Sequence, residues 1–345
     1  MKIKIGLLAA TFALNSTISF AQELSVVGSW SGLPLHKLYE KPFWEEKMPA
    51  ASSGEIKVIL TTHDQMGIKG SDVFRMLGEG VFDVGMTSAD YAVSDSPVLE
   101  GLDVPLIATD AASAKFMVEA ARPWVNEIYK GVFNSKVLGI APYPPQVVFC
   151  NVEIGSLADL KGKKIRASGR MTGKLLEALG AEAVSIGFGE VPGALQKGIV
   201  DCAVTGAGSG LSAGWWEVST HFMPIPLGGW DPVVTAINLD KWNSLSSTEQ
   251  ALIEASVETD LVAPAWASTQ EAFSTDIACL TGNGYCPTEK RNMKLVPVTD
   301  IDEKTAREIL VSTVLPDWAE RAGGDWGQRW NDTVGKATGV HIPLN

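Results

Sequence analysis

The stretch EIKVILTTHDQMGIKGSDVFRMLGEGVFDVGM, residues 55–86, decides the fold class. Glu55 to Thr61 is short, apolar and β-branched, as strands are. Ser71 to Gly80 reads as a helix, with Asp72 in its first turn and a glycine at its end. Phe82 to Met86 is a second apolar run of strand length. The pattern extends outward on both sides. Leu24 to Gly28 reads as a strand and Leu38 to Met48 as an amphipathic helix. Ala111 to Lys130 reads as a helix, interrupted or restarted near Pro123, and Lys136 to Ala141 as a strand. Such alternation means a mainly parallel sheet covered by helices.

A second unit of the same style follows. Val147 to Val152, Lys163 to Ala167 and Val200 to Val204 read as strands. Thr172 to Leu179 and Glu190 to Gln196 read as helices. Pro142, Pro144 and Pro145 hold the backbone extended between the units, which suits a crossover. A long helical pattern then runs from about Ser246 to Gly282. Ser246 and Glu249 make a capping box at its start, and Pro264 inside is expected to kink or split it. Such a helix is roughly 50 Å long at 1.5 Å per residue, enough to brace both units. The tail adds a strand at Met293 to Val298 and helices near Asp302 to Val314 and Leu315 to Ala322.

The N-terminus reads as a signal peptide. Lys2 and Lys4 precede an apolar run, Ile5 to Leu14, and Ser19-Phe20-Ala21 fits a small-x-small cleavage site. Residues 1–21 are therefore expected to be removed. The run is too short to span a membrane, and no later stretch is long and apolar enough to do so. The chain of 345 residues carries a formal net charge of −12, and losing the two lysines of the segment takes it to −14. An acidic chain without a basic stripe argues against nucleic acid. It also argues against an anionic membrane surface. If it binds an anion, its positive charge must be gathered in one pocket.

Export makes disulfides permissible for the four cysteines. Cys279 and Cys286 flank the turn-like Thr281-Gly282-Asn283-Gly284, so a bridge is expected there. Cys150 with Cys202 is the remaining pair, the alternative being buried free thiols. No H-E-x-x-H, G-x-S-x-G or Cys/His metal spacing is present. The small-residue loop Thr205 to Gly210 lacks the Gly-Lys-Ser/Thr of a phosphate loop. No cofactor or metal is expected.

The middle of the chain is more specific. Asp159-Leu160-Lys161-Gly162-Lys163-Lys164-Ile165-Arg166 is followed by Leu179-Gly180-Ala181, Glu190-Val191, Ala194-Leu195-Gln196-Lys197-Gly198 and Val200-Asp201. With Met66-Gly67 and Gly80 to Gly85 upstream and Glu217-Val218-Ser219 downstream, this succession resembles the solute-binding proteins of TRAP (tripartite ATP-independent periplasmic) transporters. The resemblance covers nearly the whole mature chain. It implies a two-domain, periplasmic-binding-protein-like α/β fold that closes on its ligand. The expected division is 22–144 with about 232–275 as the first domain, and 145–231 with about 276–345 as the second. It also implies a periplasmic, non-enzymatic receptor for a small organic anion. Such a receptor, expected to be a monomer, would deliver its ligand to membrane permease subunits.

In that family an arginine in the strand after the Leu-Lys-Gly-Lys-Lys-Ile run pairs with the ligand carboxylate, and Arg166 stands at that position. Its chemistry suits the role. A guanidinium makes two parallel charge-assisted bonds to a carboxylate and cannot lose its charge. Arg166 also ends a strand, where ligand crevices of open α/β sheets lie. A second family arginine is missing, since its neighbourhood reads Tyr143-Pro144-Pro145-Gln146-Val147-Val148-Phe149. Arg170 could replace it, and Gln146 and Phe149 stand in its place. Thr87, Ser88 and Thr205 follow strands and could offer hydroxyls or N–H groups, although Thr87-Ser88 also suits a simple helix cap. Eleven Trp against five Tyr is a high count. Trp30, Trp215 and Trp230 are candidates for an apolar wall, or for a cage around a cationic group beside Asp231. Core packing is the ordinary alternative for each. A receptor for a zwitterion or cation, and a secreted hydrolase, remain as competing readings.

Overall fold

The computed structural model describes residues 22–344, so the expected signal segment lies outside the described residues. Two mixed sheets organise the chain. The first has the order β2-β1-β3-β10-β4, built from Gln22–Gly28 (β1), Ile56–Thr62 (β2), Val84–Ser88 (β3), Ser135–Ala141 (β4) and Val233–Asn238 (β10). The second has the order β11-β9-β5-β8-β6-β7. It uses Gln146–Cys150 (β5), Lys164–Ala167 (β6), Glu182–Ser185 (β7), Cys202–Gly206 (β8), His221–Met223 (β9) and Lys294–Leu295 (β11).

Each sheet holds one reversed strand. β10 runs antiparallel to β3 and β4, and β5 runs antiparallel to β8 and β9. All other neighbours pair parallel, so the mainly parallel expectation holds. The chain passes between sheets at 142–145 and again at 224–232. These two passages are stitched together: Tyr143 N–H donates to Trp230 O at 3.0 Å, Gln146 N–H to Gly229 O at 3.1 Å, and Gly228 N–H to Gln146 O at 3.1 Å.

The long helix is the third connection. Ser247–Val257 and Ala263–Thr281 are joined by the wider turn Glu258–Val262, and Gly282 ends it in the left-handed region at φ 74°. Its expected capping box, Ser246 with Glu249, is present. The wider turn falls just before Pro264, where the sequence expects a kink or a split, and Pro264 stands in the first turn of the segment that follows. A proline leaves the carbonyl four residues earlier without its N–H partner, and Lys47 Nζ donates to that carbonyl, Asp260 O, at 3.3 Å. Pro123 lies inside an unbroken helix, Ala111–Val132, carried by a buried face that includes Met117, Ala121 and Trp124.

The tail divides between the two sheets. Asp300–Ile309 does pack with the second sheet, where Asp302 Oδ1 accepts from Leu157 N–H at 3.1 Å. From Leu315 onward the chain crosses to the first. Trp318 Nε1 donates to Pro97 O and Trp330 Nε1 to Gly101 O, each at 2.9 Å, and Arg329 pairs with Glu127 at 2.6 Å. Large indoles with one polar atom are buried readily once that atom finds a carbonyl. Both expected disulfides are present: Cys150–Cys202 joins β5 to β8 at directly opposed positions, and Cys279–Cys286 closes the loop after the long helix.

Candidate functional site

Arg166 borders the cleft between the sheets. It is the penultimate residue of β6, an interior strand paired with β7 and β8, and is only 3% exposed. Nε donates to Ile186 O at 3.0 Å and Nη1 to Val204 O at 2.7 Å. The Trp215 ring lies 6.0 Å from Cζ. Burial lowers the guanidinium's proton affinity, and Tyr91, Asp231 and Asp90 act against that shift. Among the described residues Arg166 forms no ion pair.

It lines a cavity of about 970 Å³ and, beside it, a small void of about 20 Å³. Trp30, Asp90, Tyr91, Ser168 and Phe188 border both. Trp30 and Phe188 meet from opposite sheets, with ring centroids 5.4 Å apart. Lys174 reaches Asp317 across the cleft at 2.9 Å, and Asp317 also accepts from Arg321 Nε at 2.9 Å. Asp317 thus ties helix Arg170–Ala178 to Leu315–Ala322.

The expected concentration of positive charge is not found. The large cavity is bordered by Lys69, Arg166, Arg170 and Lys174, but equally by Asp90, Glu177, Glu190 and Asp317. Asp231 adds a carboxylate at the small void. Asp90, Asp103 and Asp231 all have proton affinities raised by burial. Neighbouring carboxylates raise Asp90 and Asp103 further, while Arg166 opposes the shift at Asp90 and Asp231. Burial pushes Tyr91 up to about 12.

The sequence candidates separate into two groups. Arg166, Trp30, Gln146 and Thr205 border the void, and Arg170 stands exposed at the rim of the large cavity. Gln146 is 2% exposed, and its Nε2 has no partner. The others serve the frame and border neither cavity. Trp230 donates Nε1 to Ala108 O at 3.0 Å, which removes it from the cleft wall. Trp215 is fully buried beneath Arg166, stacked on Phe188. Phe149 packs edge-on against Trp215 and Phe222. Thr87 is buried, and Ser88 caps the turn that follows it by accepting from Asp90 N–H. Ser88 Oγ also donates to Asp231 Oδ1.

Asp90, Tyr91, Ser168, Phe188 and Ser209 were not read from the sequence. Asp90-Tyr91 follow the Thr87-Ser88 strand end after one alanine, and Phe188 sits between Gly187 and Gly189. Those are the signals that could have found them.

The family model described as "Bacterial extracellular solute-binding protein, family 7" matches residues 33–278. The chain is 26% identical over 263 residues to the 2,3-diketo-L-gulonate-binding periplasmic protein YiaO of Escherichia coli (strain K12). That match covers 74% of this chain and 78% of that protein. Among solved structures it is similar to DctP7, a Bordetella pertussis extracytoplasmic solute receptor binding pyroglutamic acid. The TM-score is 0.79 at 19% identity, covering 91% of this chain and 99% of that one. It is also similar to a TRAP periplasmic solute binding protein from Desulfovibrio salexigens with bound orotic acid. There the TM-score is 0.80 at 17% identity, with the same coverages. At such identities the structures establish a shared fold.

Proposed function

The chain belongs to the bacterial extracellular solute-binding proteins of family 7, and we propose that it captures a small organic carboxylate between two lobes for a TRAP membrane permease. The first lobe is 22–144, 232 to about 275, and 315–344; the second is 145–231 and about 276–314. The mature protein starts near Gln22, is periplasmic and acts as a monomer. Its family consists of solute-binding receptors, which sets aside the secreted hydrolase. A tryptophan cage for a cation finds no support either, because Trp230 and Trp215 are committed to packing and only Trp30 reaches the cleft.

The observation that carries this reading is Arg166. It is buried near the carboxyl end of an interior strand, held by two backbone carbonyls, and borders the cavity without an ion partner. Burying a charge unpaired is costly, so a site that keeps one invites an anion. The keto-sugar acid, pyroglutamate and orotate of the relatives are of the class expected. Ligand contacts made only in the closed form would shift the lobes toward closure.

The test is a melting screen of small carboxylates, sulfonates and uncharged solutes. A ligand at 100 times its dissociation constant adds about 2.7 kcal/mol of stability. Hits confined to carboxylates, with compaction in solution scattering, are expected. A screen in which carboxylates give no shift while uncharged solutes do would overturn the reading.

A further inference from the structure

An anion receptor whose cleft holds as many acids as bases needs a reason for the acids. Asp90 and Asp231 sit in one small void with Arg166. Neither is spent on an ion pair among the described residues. The Asp90 carboxylate accepts no hydrogen bond from them either, and it lies against Gly169, where an added Cβ would collide with Oδ2. Asp231 is placed at some cost. Its φ is 44°, in the left-handed region, which non-glycine residues adopt at an energetic penalty. Two contacts hold it there: its N–H donates to Asp103 Oδ1 at 2.7 Å, and its carboxylate accepts from Ser88 Oγ.

A second feature of the same void points to a ligand. Gln146, 2% exposed, borders it, and Nε2 has no hydrogen-bond partner. Buried polar groups are nearly always paired, so an unpaired amide donor at a binding void awaits an acceptor. The lining of the void therefore combines donors from Arg166 and Gln146 with acceptors from Asp90 and Asp231. A plain carboxylate satisfies the donors but brings no hydrogen-bond donor to the two acids.

We propose that Asp90 and Asp231 are specificity-determining residues. They select carboxylates that also carry a hydrogen-bond donor, an ammonium, amidinium or hydroxyl group, within reach of the Arg166-bound carboxylate. The proposal rests on the carboxylate reading above and narrows it to donor-bearing acids. The donor side of the ligand faces Asp90 and Asp231, and its carboxylate faces Arg166 and Gln146. Asp103 stays behind Asp231 as a positioning residue.

The test uses calorimetry on matched pairs: L-proline with cyclopentanecarboxylate, lactate with propionate, and glutamate with glutarate. The mature parent, Asp90→Asn and Asp231→Asn are compared, asparagine being tolerant of the left-handed backbone at 231. The parent should favour the donor-bearing member of at least one pair by about 10-fold or more, the worth of a hydrogen bond to a charged group. Each variant should lose most of that preference and bind the donor-free member more tightly. Proline and glutamate against lactate distinguish an ammonium from a hydroxyl donor.

Several results overturn the proposal: a parent that binds both members of every pair alike, a parent that binds no donor-bearing member, or a preference that survives in both variants. A different result marks failure of the underlying carboxylate reading. That is Arg166→Ala binding the donor-free acids as tightly as the parent.

Discussion

Replacing Arg166 by lysine keeps the charge and removes the fork, so it separates geometry from simple attraction. A guanidinium has five N–H donors. Ile186 O and Val204 O take two of them, at 3.0 and 2.7 Å. Three remain, enough for two parallel bonds to a carboxylate. A lysine ammonium has three donors in all. If it serves the same two carbonyls, one is left for the ligand. The ligand then loses one charge-assisted bond, worth about 1.5–3 kcal/mol, or roughly 10- to 150-fold in affinity. Titration calorimetry with any carboxylate found by the melting screen reads this directly. Urea unfolding without ligand supplies the control, and the midpoint should move little, because charge and at least one carbonyl bond persist. A Lys variant that binds within threefold of the parent would refute the fork's role. A Lys variant no better than Arg166→Ala would show that position, beyond charge, is indispensable, which strengthens the assignment.

Other consequences follow from contacts across and behind the cleft. Gly169→Ala would put its Cβ inside the Asp90 carboxylate, at a backbone any residue tolerates, with φ −138°. The expected effect is obstructed closure: about 10-fold weaker binding and less compaction in scattering, with an unchanged urea midpoint. Unaltered affinity would show that the lobes do not meet there. Removing Cys150 and Cys202 together frees a separation of 52 residues, against 7 for Cys279 and Cys286. Loop entropy then assigns a loss of about 4 kcal/mol to the first pair and about 2.5 kcal/mol to the second. Equal losses in chemical denaturation would contradict that ordering.

Burial raises Asp276 from 3.8 to about 7. The unfolded chain therefore releases this proton first, and stability falls as pH rises from about 4 to about 7, then levels off. Asp276→Asn should be more stable than the parent at pH 8 by about 2–3 kcal/mol, allowing for its partial exposure. The two should converge near pH 4. A constant difference across that range would show that Asp276 is not the titrating group.

The frame was legible because local signals there agree with the tertiary structure. The βαβ stretch at 55–86, the Ser246 capping box and the Gly282 stop depend on neighbours within a few residues, and each is found where the sequence places it. Pro123 misled because a proline breaks a helix only when its crowded turn goes unsupported, whereas at Pro264 the winding does change, in the turn just before it. The support at 264 is Lys47, more than 200 residues away in sequence. The course of the tail depends on equally distant partners. Nothing local to Trp318 or Trp330 names Pro97 and Gly101 as the carbonyls that receive their indoles.

The site divides along the same line. Arg166 could be found because strand position and motif coincide at one residue. Its acidic neighbours could not, since Asp90, Asp103 and Asp231 come from three separated segments that meet only after β10 inserts beside β3. That insertion has a functional consequence. The strand that returns the chain to the first sheet begins just after Asp231, and the outgoing passage ends at Gln146, to which Gly229 and Gly228 are hydrogen-bonded. Asp231 therefore lies on the returning passage, and Gln146 opens the strand that follows the outgoing one. Any rotation of one lobe on the other must bend the backbone that carries them. On the proposed reading, ligand recognition and lobe movement would share these few residues, with Arg166 held in the sheet beside them.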